Sequence, residues 1–373
     1  MLVSPTLIDR IAALLGHFDT AILPAWTSAG WNGSMQLAHE ALDGANGRPL
    51  PDKRYRAMAC ARQLYVFATV GNLAHADTLY RSLVRHFGDG AGGWIYSIDP
   101  AGAPLDSTRD LYTHAFVVFA CAHYYRASRA PAALDTLRRT VAVIEDRFAD
   151  GNGLYYAALA ENFGRNGSDI LQNPVMHLTE AYLAAFEATG DAWFAQRLAA
   201  LADAVHARFV NPADGCVAEL PQGTPGNRIE AGHQFEWYSL VMSAPALLGG
   251  SPLAASLPQA FDFAQRHGVA GGTLGVCAAL DGQGAVQDST ERIWAQTEYA
   301  RALVVQATVT GDAAPLATLE AWIDRFRARF LHADGWHECI APNGDVVRAE
   351  MPSTTPYHLL TAWQALRTLL PGY

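Results

Sequence analysis

Histidine is the residue type most suited to chemistry in this sequence, because several of its thirteen copies lie near the starts of apolar helical segments. An imidazole titrates close to neutral pH and can both take up and release a proton. A single histidine on an apolar helix usually belongs to the core. Four near comparable helix starts favour a function, since every buried imidazole needs hydrogen-bond partners. These four are His114, His177, His233 and His358.

Other polar residues stand at similar places in the remaining apolar segments. Arg62 interrupts an otherwise apolar run, where an unpaired buried guanidinium would be costly, and we therefore predict that it binds a ligand. A further segment carries Trp294 and Glu298 in place of a histidine.

His233 and Glu236 are three residues apart, so a helix would place them on one face. A carboxylate next to an imidazole fixes its tautomer and raises its pKa, which suits a proton shuttle. The same spacing could form half of a metal site, but the His-Glu-x-x-His pattern of zinc enzymes is absent. The Gly-x-Gly-x-x-Gly string at residues 88–93 follows a helix, which is the wrong order for a dinucleotide site. We expect no metal and no cofactor.

The elements that position these residues are predicted to be helices, because apolar residues recur at helical spacing in about twelve segments. Thr189-Gly190-Asp191 and the similar residues 310–312 are typical of a helix end followed by the cap of the next helix. Apolar helices alternate with more charged ones such as residues 131–148 and 313–330. The predicted starts of the apolar set are about 60 residues apart: Arg54, Arg109, Asn173, Glu230, Thr290 and Thr355.

Six helix pairs at a regular period predict an all-α fold. We expect a single (α/α)6 barrel of six helical hairpins that spans residues 1–373 as one domain. Residues 93–102 and 335–344 resemble each other and predict short β-hairpins in the loops at one mouth of the barrel. An open solenoid of the same hairpins is the alternative, and it would require polar capping repeats.

Composition narrows the classes of function. Lysine and arginine number 26 against 36 aspartate and glutamate, a net charge of −10, which argues against a nucleic-acid partner. No apolar stretch approaches the length of a membrane span. Five scattered cysteines and a start without a signal-peptide pattern favour a cytoplasmic protein. We expect a small-molecule partner and a monomer or homodimer.

Paired carboxylates provide a rival chemistry, since an inverting glycosidase of this fold needs a carboxylic acid and a carboxylate across the scissile bond. The candidates are Asp110, Glu236, Glu298 and Glu350. The predominance of histidine at the helix starts favours proton transfer at carbon instead.

Six segments in order along the chain resemble the N-acylglucosamine 2-epimerase superfamily, which includes epimerases of N-acylglucosamine and cellobiose and isomerases of mannose and sulfoquinovose. The segments are residues 60–67, 110–116, 173–181, 232–237, 292–298 and 353–359. The resemblance implies an (α/α)6 barrel and proton transfer on an open-chain sugar without a metal.

The resemblance also implies roles for individual residues. His358 corresponds to the base that removes the C2 proton, His233 with Glu236 to the second acid/base, and Arg62 to the group that holds the enediolate oxygens. Positions that contact the sugar correspond to Asn173, His177, Trp294, Glu298 and Tyr112. We add His114 to these candidate substrate contacts because it lies at a helix start.

The resemblance leaves the product open. Residues 232–237 are more similar to the mannose isomerases, so we expect an aldose–ketose isomerase acting on D-mannose and D-fructose or a close relative. The alternatives are a sugar 2-epimerase and a noncatalytic sugar-binding member of the fold.

Overall fold

A computed structural model describes Val3 to Gly372, and helices dominate it. Two short π-helical segments, Phe18–Ile22 and Ile144–Phe148, continue the first and sixth helices. The α-helices of the described residues are α1 (Pro5–His17), α2 (Leu23–Thr27), α3 (Ala57–Thr69), α4 (Leu73–Phe87), α5 (Leu111–Ser128), α6 (Pro131–Val143), α7 (Gln172–Thr189), α8 (Ala192–Phe209), α9 (Ala231–Met242), α10 (Pro245–Leu248), α11 (Pro252–Gly268), α12 (Ile293–Thr310), α13 (Ala314–Phe330) and α14 (Thr355–Arg367).

Short strands occupy the connections between helices. They are β1 (Trp31–Asn32), β2 (Leu37–Ala38), β3 (Ala41–Leu42), β4 (Tyr55–Arg56), β5 (Ser97–Ile98), β6 (Pro104–Asp106), β7 (Arg109–Asp110), β8 (Ala158–Leu159), β9 (Cys277–Leu280), β10 (Val286–Arg292), β11 (Leu331–His332), β12 (Gly335–Trp336), β13 (Cys339–Ile340), β14 (Val346–Arg348) and β15 (Met351–Pro352).

The chain groups into two compact units. The first unit comprises residues 29–41 and 49–208. Within it, α3 packs on α4 and α5, and α5 packs on α6 and α7. Its antiparallel sheets pair β1 with β2, β5 with both β4 and β6, and β7 with β8.

The second unit comprises residues 1–28, 42–48 and 209–373, of which residues 3–372 are described. Here α9 packs on α11 and α12, while α12 packs on α13 and α14. The N-terminal helix α1 returns to pack against α13 and α14. A four-stranded antiparallel sheet has the order β14-β13-β10-β9, and β11 pairs with β12. The prediction of one domain for residues 1–373 stays a prediction.

Burial separates two kinds of helix, as the sequence predicts. In α3 every residue from Ala57 to Ala68 is buried, whereas α1 buries only Leu7, Ile11 and Leu14. A helix that is apolar on most faces can be covered on most faces, while a one-sided helix leaves its polar face in solvent. The mostly buried helices are α3, α5, α7, α9, α12 and α14.

The predicted helix ends are confirmed. Gly190 ends α7 at a φ of 69° and Gly311 ends α12 at 71°, in the left-handed region that glycine adopts without strain. The following aspartates accept backbone N–H bonds at the start of the next helix, Asp191 from Trp193 and Asp312 from Ala314, both at 2.9 Å.

The predicted hairpin connectors are also present, and a third copy accompanies them. In each, a strand runs into a tight turn whose glycine has a positive φ: Gly102 at 88°, Gly284 at 87° and Gly344 at 94°. Each glycine N–H donates to the carbonyl three residues earlier, at 3.0 to 3.1 Å for the first two and 2.9 Å for the third. The sequence comparison missed the copy at Gly284, whose flanking residues differ.

All five cysteines lie within the described residues and are buried free thiols. Between residues 3 and 372, no helix combines the length and apolar character needed to cross a bilayer.

Candidate active site

Seven of the ten predicted site residues recur at two positions of the buried helices. Tyr112, Asn173 and Trp294 are each the second residue of a helix. The sixth residue carries the charged or titratable groups Arg62, His177, Glu236 and Glu298. Positions two and six lie roughly one turn apart, so each such helix presents both from its N-terminal end.

In the first unit, Arg62 is 5% exposed and its Nη2 donates to the Tyr112 hydroxyl at 2.6 Å. Its guanidinium carbon lies 4.2 Å from the centroid of the Phe116 ring. A cation held over an aromatic face retains its charge without a full water shell. Arg62 is therefore a preorganised, largely desolvated cation.

His177 packs against Tyr112 and Phe116, the two aromatic residues that contact Arg62. Its ring meets Tyr112 edge-on with centroids 4.8 Å apart, and its Nδ1 lies 3.2 Å from the Glu180 carboxylate. Nearby in sequence, the side-chain Oδ1 of Asn173 is buried and has no hydrogen-bond partner among the described residues. A buried acceptor without a partner is costly, which is consistent with the predicted sugar contact of Asn173.

His114 has a different environment, which argues against its predicted contact with substrate. The residue is 0% exposed, Nδ1 donates to the Asp110 carbonyl at 2.7 Å, and Nε2 accepts the Trp94 N–H at 3.2 Å. Burial, as the larger cause, lowers its pKa to about 4. Both ring nitrogens thus bond backbone groups, and the side chain holds the connector that contains Trp94 to the start of α5.

Two glutamine side chains of the second unit likewise bond the backbone of a connector. Gln234 accepts the Val217 N–H and donates to the Val217 carbonyl, both at 2.8 Å, and Gln296 makes the same pair of bonds with Val276. Like His114, each is the fourth residue of its helix and also bonds the carbonyl four residues earlier. His114 therefore corresponds to these anchors.

His233, the third residue of α9, lies in the second unit beside two carboxylates. Its Nδ1 is 2.7 Å from Glu219 and 3.8 Å from Glu230. Burial lowers the pKa of His233, but Glu219 and, to a smaller extent, Glu230 raise it, and the net direction is upward. Since a carboxylate only accepts, Nδ1 carries the proton and Nε2 is the basic nitrogen of the neutral ring.

Glu219 is a site residue that sequence reasoning missed. The expected partner of His233 was Glu236, whereas the carboxylate at hydrogen-bond distance comes from the connector before α9. Nothing in the periodicity of a loop marks Glu219. The pairing of His233 with Glu236 stays a prediction.

His358 has a comparable arrangement. Its Nδ1 lies 3.0 Å from Glu298, whose other oxygen is 3.3 Å from Arg301. His358 is 7% exposed and Glu298 is fully buried. An oxygen of Glu236 lies within 4.8 Å of atoms of both.

The Trp294 indole lies close to both imidazole rings. Its indole centroid is 5.0 Å from the ring of His233 and 5.7 Å from that of His358. A Cβ on Gly232 would stand 2.7 Å from two atoms of the indole, so only glycine leaves the ring room here. The two histidines therefore flank one aromatic surface.

Three other tryptophans are packed inside and leave no face open for stacking on a sugar. Trp94, Trp237 and Trp336 are each at most 2% exposed. The Trp336 indole N–H donates to Glu338 at 3.1 Å, as does the Thr355 hydroxyl at 2.8 Å. Burial raises the pKa of Glu338, which thus joins a β-strand connector to the start of α14.

The rival carboxylate chemistry fits this geometry poorly. Asp110 caps α5 by accepting from the Thr113 N–H, and Glu350 pairs with Arg348 at 2.8 Å. Glu236 and Glu298 have oxygens within 4.8 Å, closer than the ~6.5–9.5 Å that an inverting glycosidase leaves for its water.

Two groups in the second unit have donor atoms close enough to share a cation: Glu219 with Glu230 and His233, and Glu236 with Glu298 and His358. In each, the ring Nδ1 lies at hydrogen-bond distance from a carboxylate of the same group. The expectation of no metal and no cofactor stays a prediction.

The sequence matches the N-acylglucosamine 2-epimerase (GlcNAc 2-epimerase) family over residues 40–362. The chain belongs to this family. The predicted family is therefore confirmed, and the chain is an enzyme of the sugar isomerase and epimerase class with a small-molecule sugar as its substrate.

Named relatives agree with this membership. A mannose-6-phosphate isomerase of Rhizobium meliloti is 28% identical over 96% of each chain, and a D-mannose isomerase of Thermobifida fusca is 29% identical over 81% of each. Among solved structures, a cellobiose 2-epimerase from Bacillus thermoamylovorans has a TM-score of 0.86 at 20% identity, covering 96% of this chain and 98% of its own. This likeness confirms the predicted all-α fold class of the (α/α)6 type.

Proposed function

We propose that the enzyme interconverts an aldose and its ketose, D-mannose and D-fructose or a close relative, by moving a proton between C2 and C1. The observation that carries this proposal is the pair His233 and His358, which flank Trp294 and each direct Nδ1 to a carboxylate. Two imidazoles with basic Nε2 atoms beside one aromatic surface suit proton transfer on a sugar lying there.

In the proposed reaction, His358 takes the C2 proton of the open-chain aldose. The electrons of the C2–H bond form the C1–C2 double bond, and the carbonyl electrons move to O1, which gives an enediolate. Transfer of the O2 proton to O1, together with return of a proton to C1, yields the ketose. His233, whose pKa is raised, exchanges protons with the oxygens.

The enediolate carries negative charge on oxygen, which a fixed cation stabilises without reorganisation. The role assigned to Arg62 is this stabilisation. Its burial over Phe116 and its bond to Tyr112 support the assignment, because a desolvated, oriented guanidinium interacts more strongly with an anion.

Charge favours a neutral sugar over a phosphorylated one. Around His233 and His358 the second unit collects carboxylates. Two arginines pair with them, Arg301 with Glu298 and Arg228 with Glu230, while the exposed Arg292 lies with its guanidinium carbon 5.4 Å from the centroid of the Trp294 ring. A phosphate dianion bound beside these carboxylates would meet their like charge. We therefore propose mannose, rather than its 6-phosphate, as the substrate.

A sugar 2-epimerase is the second candidate. It is favoured by the high structural likeness to a cellobiose 2-epimerase and by the presence of two acid/base groups, since returning the proton to the other face of C2 gives the epimer. The isomerase is preferred because the relatives aligned over most of the chain are named as isomerases.

Incubation with mannose, mannose 6-phosphate, glucose, N-acetylglucosamine and cellobiose in deuterated water, with a chelator present, tests the function. We expect mannose to yield fructose, with deuterium entering from solvent. Epimeric aldoses labelled at C2 would support the second candidate instead, and absence of exchange with every sugar would leave a binding protein.

His358→Asn should slow the exchange by about 10²–10⁴-fold, the usual contribution of a general base, while the circular dichroism spectrum stays unchanged. The matched control is His206→Asn on α8, a half-buried histidine far along the chain from any predicted site residue. Full activity of the first variant would remove His358 from the mechanism.

A further inference from the structure

Two carboxylates of the second unit, Glu219 and Glu230, lie close to the His233 ring, and Glu219 is the nearer of the two. The Glu219 oxygen is 2.7 Å from Nδ1, which is a charge-assisted hydrogen bond, while Glu230 is 3.8 Å away. Glu230 is also occupied elsewhere, because Arg228 donates to it at 2.7 Å. Of the two carboxylates, Glu219 is the one that can fix the ring.

The connector holds Glu219 firmly in this place. Its backbone N–H donates to the Arg228 carbonyl at 3.1 Å. Next to it, the Asn227 side chain accepts the Leu220 N–H at 2.9 Å and donates to the Leu220 carbonyl at 2.7 Å. These bonds close residues 220–227 into a loop with a narrow neck, and Glu219 stands at that neck.

Two residues earlier, Gln234 ties Val217 to the same helix that carries His233. Because Gln234 and His233 both lie on α9, this helix links the chain just before Glu219 to the histidine. A carboxylate positioned this way loses little side-chain entropy on bonding the imidazole.

We infer that Glu219 is a positioning residue of the proposed reaction: it holds the proton of His233 on Nδ1 and so presents Nε2 to the sugar. This inference rests on the proposed function for its catalytic meaning. A carboxylate that orients a histidine in this way also stabilises the imidazolium that forms when the ring takes up a proton.

The charges that face His233 in the second unit support the assignment. Glu219 and Glu230 raise the pKa of the ring, and the exposed Arg292 of the preceding strand lowers it. Glu236 follows on the same helix. Burial alone would lower the pKa, so removing the Glu219 charge should bring it below the ordinary value of 6.5.

The test compares Glu219→Gln with Glu230→Gln, which removes a neighbouring carboxylate of similar burial. We expect Glu219→Gln to lower the pKa of His233, measured by NMR titration of labelled histidine, and to slow exchange at pH 7 at least about tenfold. The limb of the pH profile that His233 controls should move to lower pH. Glu230→Gln should change both quantities much less.

Glu219→Asp keeps the charge and should restore part of the pKa, which a merely structural role would not predict. Equal effects of the two glutamine variants, or an unchanged pKa in Glu219→Gln, would overturn the inference. If the wild type exchanges no sugar proton, the proposed function is wrong, while the titration still decides whether Glu219 sets the state of the ring.

Discussion

A neutral imidazole has one nitrogen that donates and one that accepts, so every buried histidine must be matched to its neighbours. For His233 and His358 the donor faces a carboxylate, which lets the ring gain a second proton at a modest cost. For His114 the acceptor faces the Trp94 N–H, and a second proton would place two donors against each other. The same residue type thus serves for proton transfer or for structure according to its partners.

This contrast predicts how acid affects stability. The pKa of His114 in the folded chain is about 4, below the ordinary 6.5, because of burial. Between these values the unfolded chain binds the proton more readily, so the free energy of unfolding falls as pH drops through that window. His114 then accounts for a loss of up to about 3 kcal/mol between pH 7 and pH 4.

His114→Gln should reproduce the anchor formed by Gln234 and Gln296 and remove this titration. Chemical denaturation at pH 7 and pH 4 measures the stability that each protein loses on acidification. The variant should lose less stability than the wild type, because the other histidines contribute equally to both proteins. An identical loss in the two proteins would contradict the assigned role of His114.

At the residue scale, residue type and helical spacing predicted candidate positions for the chemistry, but helical spacing cannot reveal a partner that comes from outside the helix. The i, i+3 rule selects Glu236 for His233, a pairing that stays a prediction, and it could not have indicated Glu219, which reaches the ring from 14 residues upstream. His114 was grouped with the other histidines because its type was weighted above its position. Its alignment with Gln234 and Gln296 at the fourth helical residue emerges only from the observed helix starts, and His358 occupies the same position in α14, so position alone does not identify an anchor.

At the scale of elements, helix starts were predictable because caps, glycines and apolar periodicity are local signals. The predicted starts at Thr355 and Asn173 lie within one residue of the observed ones, and the others within three. The connectors could be predicted only where they repeat, as at Gly102 and Gly344. Their long-range bonds, such as that of Glu338 to Thr355, depend on packing that no local pattern encodes.

The contact of α9 with α12 gives a prediction at this scale. Gly232→Ala should push the Trp294 indole away from α9, because the added Cβ would stand 2.7 Å from its atoms. Displacing the ring that both histidines flank should lower kcat by about 10²-fold, since small misplacements of positioned groups are costly. Steady-state kinetics and near-ultraviolet circular dichroism measure the two effects.

Gly16→Ala in α1 is the matched control, since nothing lies within 4 Å of its added Cβ. It should keep full activity and raise stability by about 0.5–1 kcal/mol, as expected for a helical glycine. Unchanged kinetics in Gly232→Ala would show that the position of the indole does not matter to the reaction.

At the scale of the whole molecule, the second unit is discontinuous in sequence. The N-terminal helix α1 packs on α13 and on α14, the helix that carries His358. Ile11 of α1 is fully buried, and Arg10 on the outer side pairs with Glu320 and Asp324 at 2.6 Å. The first residues of the chain therefore support a helix formed by the last.

Ile11→Ala should cost about 2–5 kcal/mol of stability, the range for truncating a buried aliphatic side chain, and should lower the temperature at which activity is lost. Thermal unfolding followed by circular dichroism checks this. Arg10→Ala should have a much smaller effect, because its ion pairs are exposed to solvent. Equal shifts for the two variants would mean that α1 contributes through charge.

The narrow neck that Asn227 closes has a consequence for variation in this enzyme. Since side-chain bonds at Leu220 and Asn227 fix both ends of the intervening loop, its tip can lengthen, shorten or change composition without passing strain to Glu219. Residues 221–226 can thus be exchanged as one segment. Grafting the corresponding tips of relatives onto this neck would therefore change the loop while the bond between Glu219 and His233 is kept.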